Sequence, residues 1–284
     1  MENRPYSAHP DPIQQAFLAT GDALIALAER TALVDRVVAE AVADLLMPAV
    51  PAGAAVLAVG GYGRRQLFPY SDIDLLLLFE SQRLAMAQRE AISAFVQRLW
   101  DSGLRLSSSV RTPAECTEIH DHNIELNVGL LDQRYLAGDR ALYAGLEERL
   151  PRFVQAARDP LSRNLAQLAR ARHSKHGDTF YHLEPNVKET PGALRDYQLI
   201  GWFEQLNGKG RPEFAPELQQ AYGFLARLRC YLHCQAGRDN NLLSFDAQDA
   251  IAEQWKESDA ARWMREYFRH SRSIYRAAIR ALET

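Results

Sequence analysis

Apolar residues recur at helical spacing from Ile13 to about Leu46, through Phe17, Leu24, Leu27, Val34, Val37 and Ala41, and predict one or two helices. Beyond the punctuation of Pro48 to Pro51 the pattern changes. Ala54 to Val59 is a short unbroken apolar run that ends in Gly60 and Gly61, as a buried strand entering a tight loop would. That loop carries Gly63, Arg64, Arg65 and Pro69. Asp72 to Phe79 (DIDLLLLF) predicts a second buried strand with two acids at its start. Leu84 to Trp100 predicts an amphipathic helix, Leu104 to Arg111 a third strand, and everything past Pro113 is expected to be helical. Strands early and helices late imply an α+β chain, with a small mixed sheet followed by a helical bundle. The expected division is an N-terminal helical segment over 1–50, a sheet domain over 51–145 and a helical domain over 146–284. Gly145, Pro151 and Pro160 punctuate the second boundary. One irregular island, Gly177 to Pro191 (GDTFYHLEPNVKETP), interrupts the helical half, and segments of that kind are disordered or have a job.

With 284 residues, 47% of them hydrophobic, the chain can bury the cores of two domains. Its 33 basic and 36 acidic residues leave a formal net charge of −3, so no global field draws it to nucleic acid. Three cysteines are too few for a disulfide framework, and Cys230 and Cys234 have no second ligand pair near them. No run approaches the roughly 18 apolar residues of a membrane span, and the first residues lack the apolar core of a signal. A soluble protein of the cytoplasm with no membrane partner is expected.

The chemistry concentrates in Gly60-Gly61, ten residues, then Asp72-Ile73-Asp74-Leu75. Side chains two apart on a strand share a face, so Asp72 and Asp74 project together. Two ionised carboxylates about 5 Å apart repel by roughly 3 kcal/mol at an effective dielectric near 20. A cation removes that penalty. Magnesium takes oxygen ligands and prefers one or two carboxylates plus substrate phosphates, which suits this pair to a metal nucleotide. The glycine pair would let backbone N–H groups approach phosphate oxygens that a Cβ obstructs. Ser71 offers a hydroxyl donor, and Arg64 or Arg65 a positive charge. With two metal ions, the acceptor hydroxyl and the departing pyrophosphate would each be braced for in-line attack at the α-phosphorus. An Asp-x-Asp pair alone is a common strand end and Gly-Gly alone a common turn; it is their junction, each on an apolar strand, that carries the signal. No G-x-x-x-x-G-K-[ST] and no G-x-G-x-x-G occurs at this loop.

The segment AVGGYGRRQLFPYSDIDLLLLF (Ala58 to Phe79) resembles the nucleotidyltransferase domain of the bacterial PII-uridylyltransferase family, a branch of the polymerase β-like nucleotidyltransferases. Trp100 to Thr112 with Glu115 and Cys116, then HSKHGDTFYHLEPNVKETPGALRD (His173 to Asp196), then DNNLLSF (Asp239 to Phe245), resemble the family's later landmarks in the same order. The resemblance implies a polymerase β-like fold and transfer of UMP from UTP to a tyrosine hydroxyl of the PII regulatory protein, with magnesium. It implies that Asp72 and Asp74 hold the metals and that Gly60 and Gly61 line the triphosphate. It also implies that the island and the Arg195-Asp196 pair pack a helical region against the active site, where Lys188 and Arg195 are the candidates for contacts to nucleotide or to a domain partner; a structural ion pair is the competing reading of those two.

Three departures stand out. The family's loop commonly reads G-R-G-E-L, where this chain has Gly63-Arg64-Arg65-Gln66-Leu67. The next strand, LRLSSSVR, lacks the third carboxylate usual in polymerase β folds, which keeps open a catalytically weak, nucleotide-binding regulatory module as the alternative, beside transfer to another acceptor. Family members continue into an HD-type phosphohydrolase domain and paired ACT domains, so neither uridylyl removal nor glutamine sensing is expected of these 284 residues. His120-Asp121 alone does not make a hydrolase. His173, His176 and His182 are expected to be surface or hydrogen-bonding histidines rather than metal ligands. Tyr222, Phe224, Tyr231, Trp263, Tyr267 and Phe268 are expected in the core, and Arg262 to Arg280 as a solvated amphipathic helix.

Overall fold

The computed structural model describes residues 11–119, 124–210, 212–257 and 259–283. Two compact units divide the described chain, one running to Gly21 and from Ile25 to Ala157, the other made of Asp22–Leu24 and the chain from Arg158. His120-Asp121 lies outside the described residues.

The first unit opens with α1 (Pro12–Thr20), which starts where Asp11 accepts from the Ile13 amide at 3.0 Å and stops at Gly21 in the left-handed conformation, φ 72°. A carboxylate cap, a proline in the first turn and a glycine at the end are the local signals that bound a helix. Helix α2 (Ala23–Ala41) continues into a π-turn, Val42–Leu46. Then come β1 (Ala54–Ala58), the short α3 (Gly60–Gly63), β2 (Ile73–Phe79), α4 (Gln82–Ala87), α5 (Arg89–Asp101), β3 (Leu106–Arg111), α6 (Pro113–Cys116), α7 (Ile124–Leu131), β4 (Arg134–Gly138) and α8 (Arg140–Ala156).

The strands form one mixed sheet in the order β3-β2-β1-β4, with β1 antiparallel to β2 and β4, and β2 parallel to β3. Both faces are covered, which is why β1 and β2 read as unbroken apolar runs rather than alternating ones. Ala54, Val56, Ile73, Leu75, Leu77 and Phe79 share a core with α2, the π-turn and α5. Ala55, Leu57, Leu76 and Leu78 share the opposite core with Cys116 and with Tyr143, Leu146 and Leu150 of α8. A boundary at 145/146 would cut α8 through those contacts. The division falls after Ala157 because the whole of α8 is needed to cover the sheet.

Two local expectations are corrected. Arg134–Gly138, expected helical, is an edge strand. Leu84 to Trp100 is not one helix, because α4 closes when the Gln88 amide turns back to the carbonyls of Leu84 and Ala85, both at 3.2 Å. The tight loop expected after β1 begins as the single turn of helix α3.

The second unit comprises α9 (Arg158–Lys175), α10 (Leu194–Leu206), α11 (Pro216–Ala236), α12 (Phe245–Gln254) and α13 (Ala260–Glu283), with α10 and α11 packed on α13. Tyr222, Tyr231, Trp263 and Tyr267 are buried there as expected, whereas Phe224 and Phe268 are only half-buried. The island between α9 and α10 is built rather than loose. Asn186 accepts through its side chain from the amides of Lys188 and Glu189 (3.0 and 2.9 Å), and its own amide donates to Thr190 Oγ1 at 2.9 Å. Its sequence-distant partner is the DNNLLSF segment: Val187 N donates to Asn241 O and Leu243 N to Pro185 O, each at 2.9 Å. The two landmarks, about fifty residues apart in sequence, are thus joined side by side. No described helix is long and apolar enough to cross a membrane.

Candidate active site

Register and alternation place the acids. Ile73 and Leu75 point into one core, so Asp74 lies on the other face, in line with Leu76 and Leu78 but at the strand's beginning, where the apolar cover ends. Asp72 immediately precedes the strand. Asp74 is half-buried and Asp72 is 51% exposed. Two oxygen-bearing side chains at the mouth of an apolar strand suit a hard divalent ion.

Helix α3 faces them. Val59 is extended, its amide donating to Asp74 O at 3.1 Å, and the chain then reverses through Gly60 at φ +56°. A Cβ on Gly60 would stand 3.3 Å from Asp74 Oδ2, crowding that carboxylate. The space beside Asp74 therefore exists because residue 60 has no side chain. A Cβ on Gly63 would stand 2.0 Å from the carbonyl oxygen of Asp132, which explains that glycine by packing alone. Gly61 is different. Its φ is ordinary and a Cβ would meet nothing nearer than Gln66 O at 3.6 Å. Neither conformation nor packing demands glycine there.

The helix is anchored from behind by Tyr62, 1% exposed, whose phenol is pushed well above its usual range by burial and by the nearby Asp35. Arg134 of β4 makes two 2.9 Å bonds to Asp35 of α2, lies over the Tyr62 ring at 5.5 Å and donates to its carbonyl at 3.4 Å. Arg64, expected to meet phosphate, is ion-paired with Asp132, itself 4% exposed, and donates from Nε to Gln66 at 3.0 Å. Its visible work is to neutralise a buried acid. Arg65 is the exposed cation of the loop, held at φ +63° where the family commonly has glycine.

Ser71 sits at the turn into β2, its amide donating to Phe68 O at 3.2 Å. On the neighbouring strand, Ser107 stands opposite Asp74 in register, so a hydroxyl occupies the level at which a third carboxylate would help. Among the described residues no group of three or more His, Cys, Asp or Glu side chains gathers as a metal site. Asp72 and Asp74 offer two carboxylates, a number that magnesium accepts when phosphates supply the rest.

Lys188 and Arg195 belong to the second unit. Lys188 is half-buried, and its ammonium is held below the usual lysine range by burial and by the neighbouring Arg229 and Arg195. Arg195 reaches Glu189 at 3.7 Å and Gln198 at 3.3 Å, and its amide donates to Lys188 O at 2.9 Å. Below them Asp196, fully buried, accepts from Arg172 at 2.5 Å, from His173 at 2.9 Å and from the Gly192 amide at 2.7 Å. Burial works to raise its pKa, but His173 and Arg172 outweigh it and bring the carboxyl below its usual range. His173 is thus a buried bonding partner, and His182 Nε2 lies 2.8 Å from His176 O, both consistent with hydrogen-bonding roles. Sequence reasoning missed Asp35, Arg105, Asp132 and Arg134. Each matters through a partner more than thirty residues away, which no local pattern reveals.

The family model described as GlnD PII-uridylyltransferase matches residues 162–212 and 211–280, within the second unit. Curated proteins carry the likeness further along the chain. The bifunctional uridylyltransferase/uridylyl-removing enzyme of Cupriavidus pinatubonensis is 38% identical over 261 residues, covering 85% of this chain and 29% of that protein. The protein of the same name from Burkholderia orbicola is 39% identical over 218 residues, covering 72% of this chain and 25% of that protein. The chain therefore spans between 25% and 29% of the length of these relatives.

Proposed function

Because the chain belongs to the PII-uridylyltransferase family, we propose that it is a magnesium-dependent nucleotidyltransferase moving UMP from UTP to a protein hydroxyl, with a tyrosine of a PII-type regulatory protein as acceptor. The observation that carries this reading is the placing of Asp72 and Asp74 at the start of β2 beside Gly60, on which a Cβ would stand 3.3 Å from Asp74 Oδ2. In this reading the two carboxylates hold the metal ions, which when bound would favour the acceptor alkoxide and balance charge on the departing pyrophosphate.

The remaining work falls to the chain's own residues. Gly60 and Gly61 open α3, and the first amides of a helix have no intrahelical acceptor, so they are available to phosphate oxygens. Tyr62 and Arg134 hold that turn still, which keeps the donors in place as charge moves from the α-phosphorus to the leaving group. Ser71 is proposed as a further donor, and Lys188 and Arg195 as nucleotide contacts on the strength of their charge. Arg64, already engaged by Asp132, is retained only as a support of the loop. The setting proposed is the cytoplasm, with no nucleic-acid partner.

The test is incubation with each labelled nucleoside triphosphate, magnesium and PII. Wild type is expected to transfer label from UTP, and a chain with both Asp72→Ala and Asp74→Ala to transfer none. Tight binding of UTP without transfer by wild type would favour a regulatory nucleotide-binding module, a reading supported by the hydroxyl of Ser107 standing where a third acid is usual.

A further inference from the structure

Asp72 is not bare. Parallel pairing of Ile73 with Leu106 sets Asp72 beside Arg105, and the Ile73 amide donates to Arg105 O at 2.7 Å. Across this rung Arg105 Nε lies 2.9 Å from Asp72 Oδ1, while its Nη1 donates to Tyr70 O at 3.3 Å. The guanidinium thus clamps the strand entry from Tyr70 to Asp72, where Tyr70 itself has the left-handed φ of 57°. Both partners are more than half exposed, 59% and 51%, so the bond is readily exchanged. Among the described residues Arg105 has no other carboxylate partner, and the following strand residues Ser107, Ser108 and Ser109 supply none.

The geometry points to Arg105 as an exchangeable counter-ion of the active site: it holds Asp72 while the metal site is empty of charge, surrenders that carboxylate to the divalent cation, and turns its guanidinium to the triphosphate. This rests on the metal-nucleotide reading above and adds a residue to it. A triphosphate carries more negative charge than two divalent ions facing two carboxylates can cancel, and an arginine released at the same spot offsets part of the excess through N–H donors matched to phosphate oxygens. The two roles have opposite consequences. Before nucleotide arrives, Arg105 competes with the metal for Asp72; afterwards it adds to nucleotide affinity.

The experiment uses the full chain as wild type, Arg105→Gln, Arg105→Lys and Asp72→Asn. Free Mn2+ is followed by electron paramagnetic resonance without nucleotide, and binding of a UTP analogue with a methylene bridge between the α and β phosphorus is followed with Mg2+ by calorimetry. Arg105→Gln is expected to bind Mn2+ about two- to five-fold more tightly, the range an exposed ion pair can impose, and the analogue about ten-fold more weakly. Arg105→Lys should fall between on both measurements. A merely structural arginine would move both affinities the same way or neither, and either outcome overturns the inference, as does unchanged analogue binding. If Asp72→Asn binds Mn2+ as wild type does, the metal assignment itself fails; if it loses Mn2+ while Arg105→Gln shows no gain, only the counter-ion role fails.

Discussion

Three aspartates in this chain, Asp196 and Asp239 on one side and Asp72 on the other, have contrasting surroundings. Asp196 and Asp239 in the second unit are enclosed by donors: Asp196 by Arg172, His173 and the Gly192 amide, and Asp239 by His233 at 2.9 Å, Asn241 at 2.8 Å and Arg229 at 3.4 Å. Asp72 at the end of the sheet has one exchangeable arginine and half its surface in water. An acid that holds a fold has its charge met by several donors, because an unpaired charge in the interior is costly. An acid that is to accept a metal must keep lone pairs within reach of an incoming ion. The sequence writes both kinds as Asp beside apolar residues, and only the count of donors separates them.

The sharpest way to break this contrast is substitution. Asp72→Ala with Asp74→Ala should lower label transfer from UTP by a factor on the order of a thousand or more, as loss of the metal positions would, with the denaturation midpoint nearly that of wild type. A large drop in that midpoint would make the pair structural. Asp196→Ala should act in reverse, costing about 3–5 kcal/mol of stability because Arg172 and His173 lose their buried partner. Urea denaturation checks it.

The glycines divide in the same way. Gly63→Ala must displace the backbone of Asp132 and should destabilise by about 2–4 kcal/mol. Gly61→Ala meets only ordinary contacts and should leave stability within about 0.5 kcal/mol, while UTP-analogue affinity falls several-fold. Equal affinity in the Gly61 variant would remove the ligand explanation for that residue.

Acid titration sharpens the comparison further. The carboxyls of Asp196 and Asp239 are both depressed in the folded protein, Asp239 chiefly by its bond to His233. A depressed carboxyl binds its proton less readily folded than unfolded, so its stabilisation is complete above the unfolded value near 4 and fades as pH falls below it. Wild type should lose stability steeply below about pH 4, and Asp239→Asn should flatten that slope, as read from unfolding midpoints at a series of pH values. The smallest effect expected is a gain. Arg65 sits at φ +63° without being glycine, and Arg65→Gly should stabilise by about 1 kcal/mol through relief of that strain.

How much of this was legible in advance varied with the physics involved. Strands β1 and β2 were plain, since a strand buried on both faces must be apolar throughout. The edge strand β4 was not: Arg134 to Gly138 is half-buried at every position and has no alternation to read, and only pairing with β1 defines it. Pro151, expected as punctuation, lies inside α8, and the break at Gln88 carries neither glycine nor proline. In the candidate site, the acids and glycines could be picked out because their chemistry is local. That Arg64 would be spent on Asp132, or that Arg105 would stand beside Asp72, depends on a turn and a register fixed far along the chain.

The joining of Pro185 and Val187 to Asn241 and Leu243 has a consequence for biogenesis. A ribosome that has delivered the chain only as far as α11 has made the first half of this seam and none of the second. Until the residues just beyond α11 have been translated, the island lacks its partners Asn241 and Leu243, and Arg229 lacks Asp239 and Asn241. The second unit should therefore mature late and all at once, with the stretch from α9 to the seam the segment most open to a protease on a stalled nascent chain.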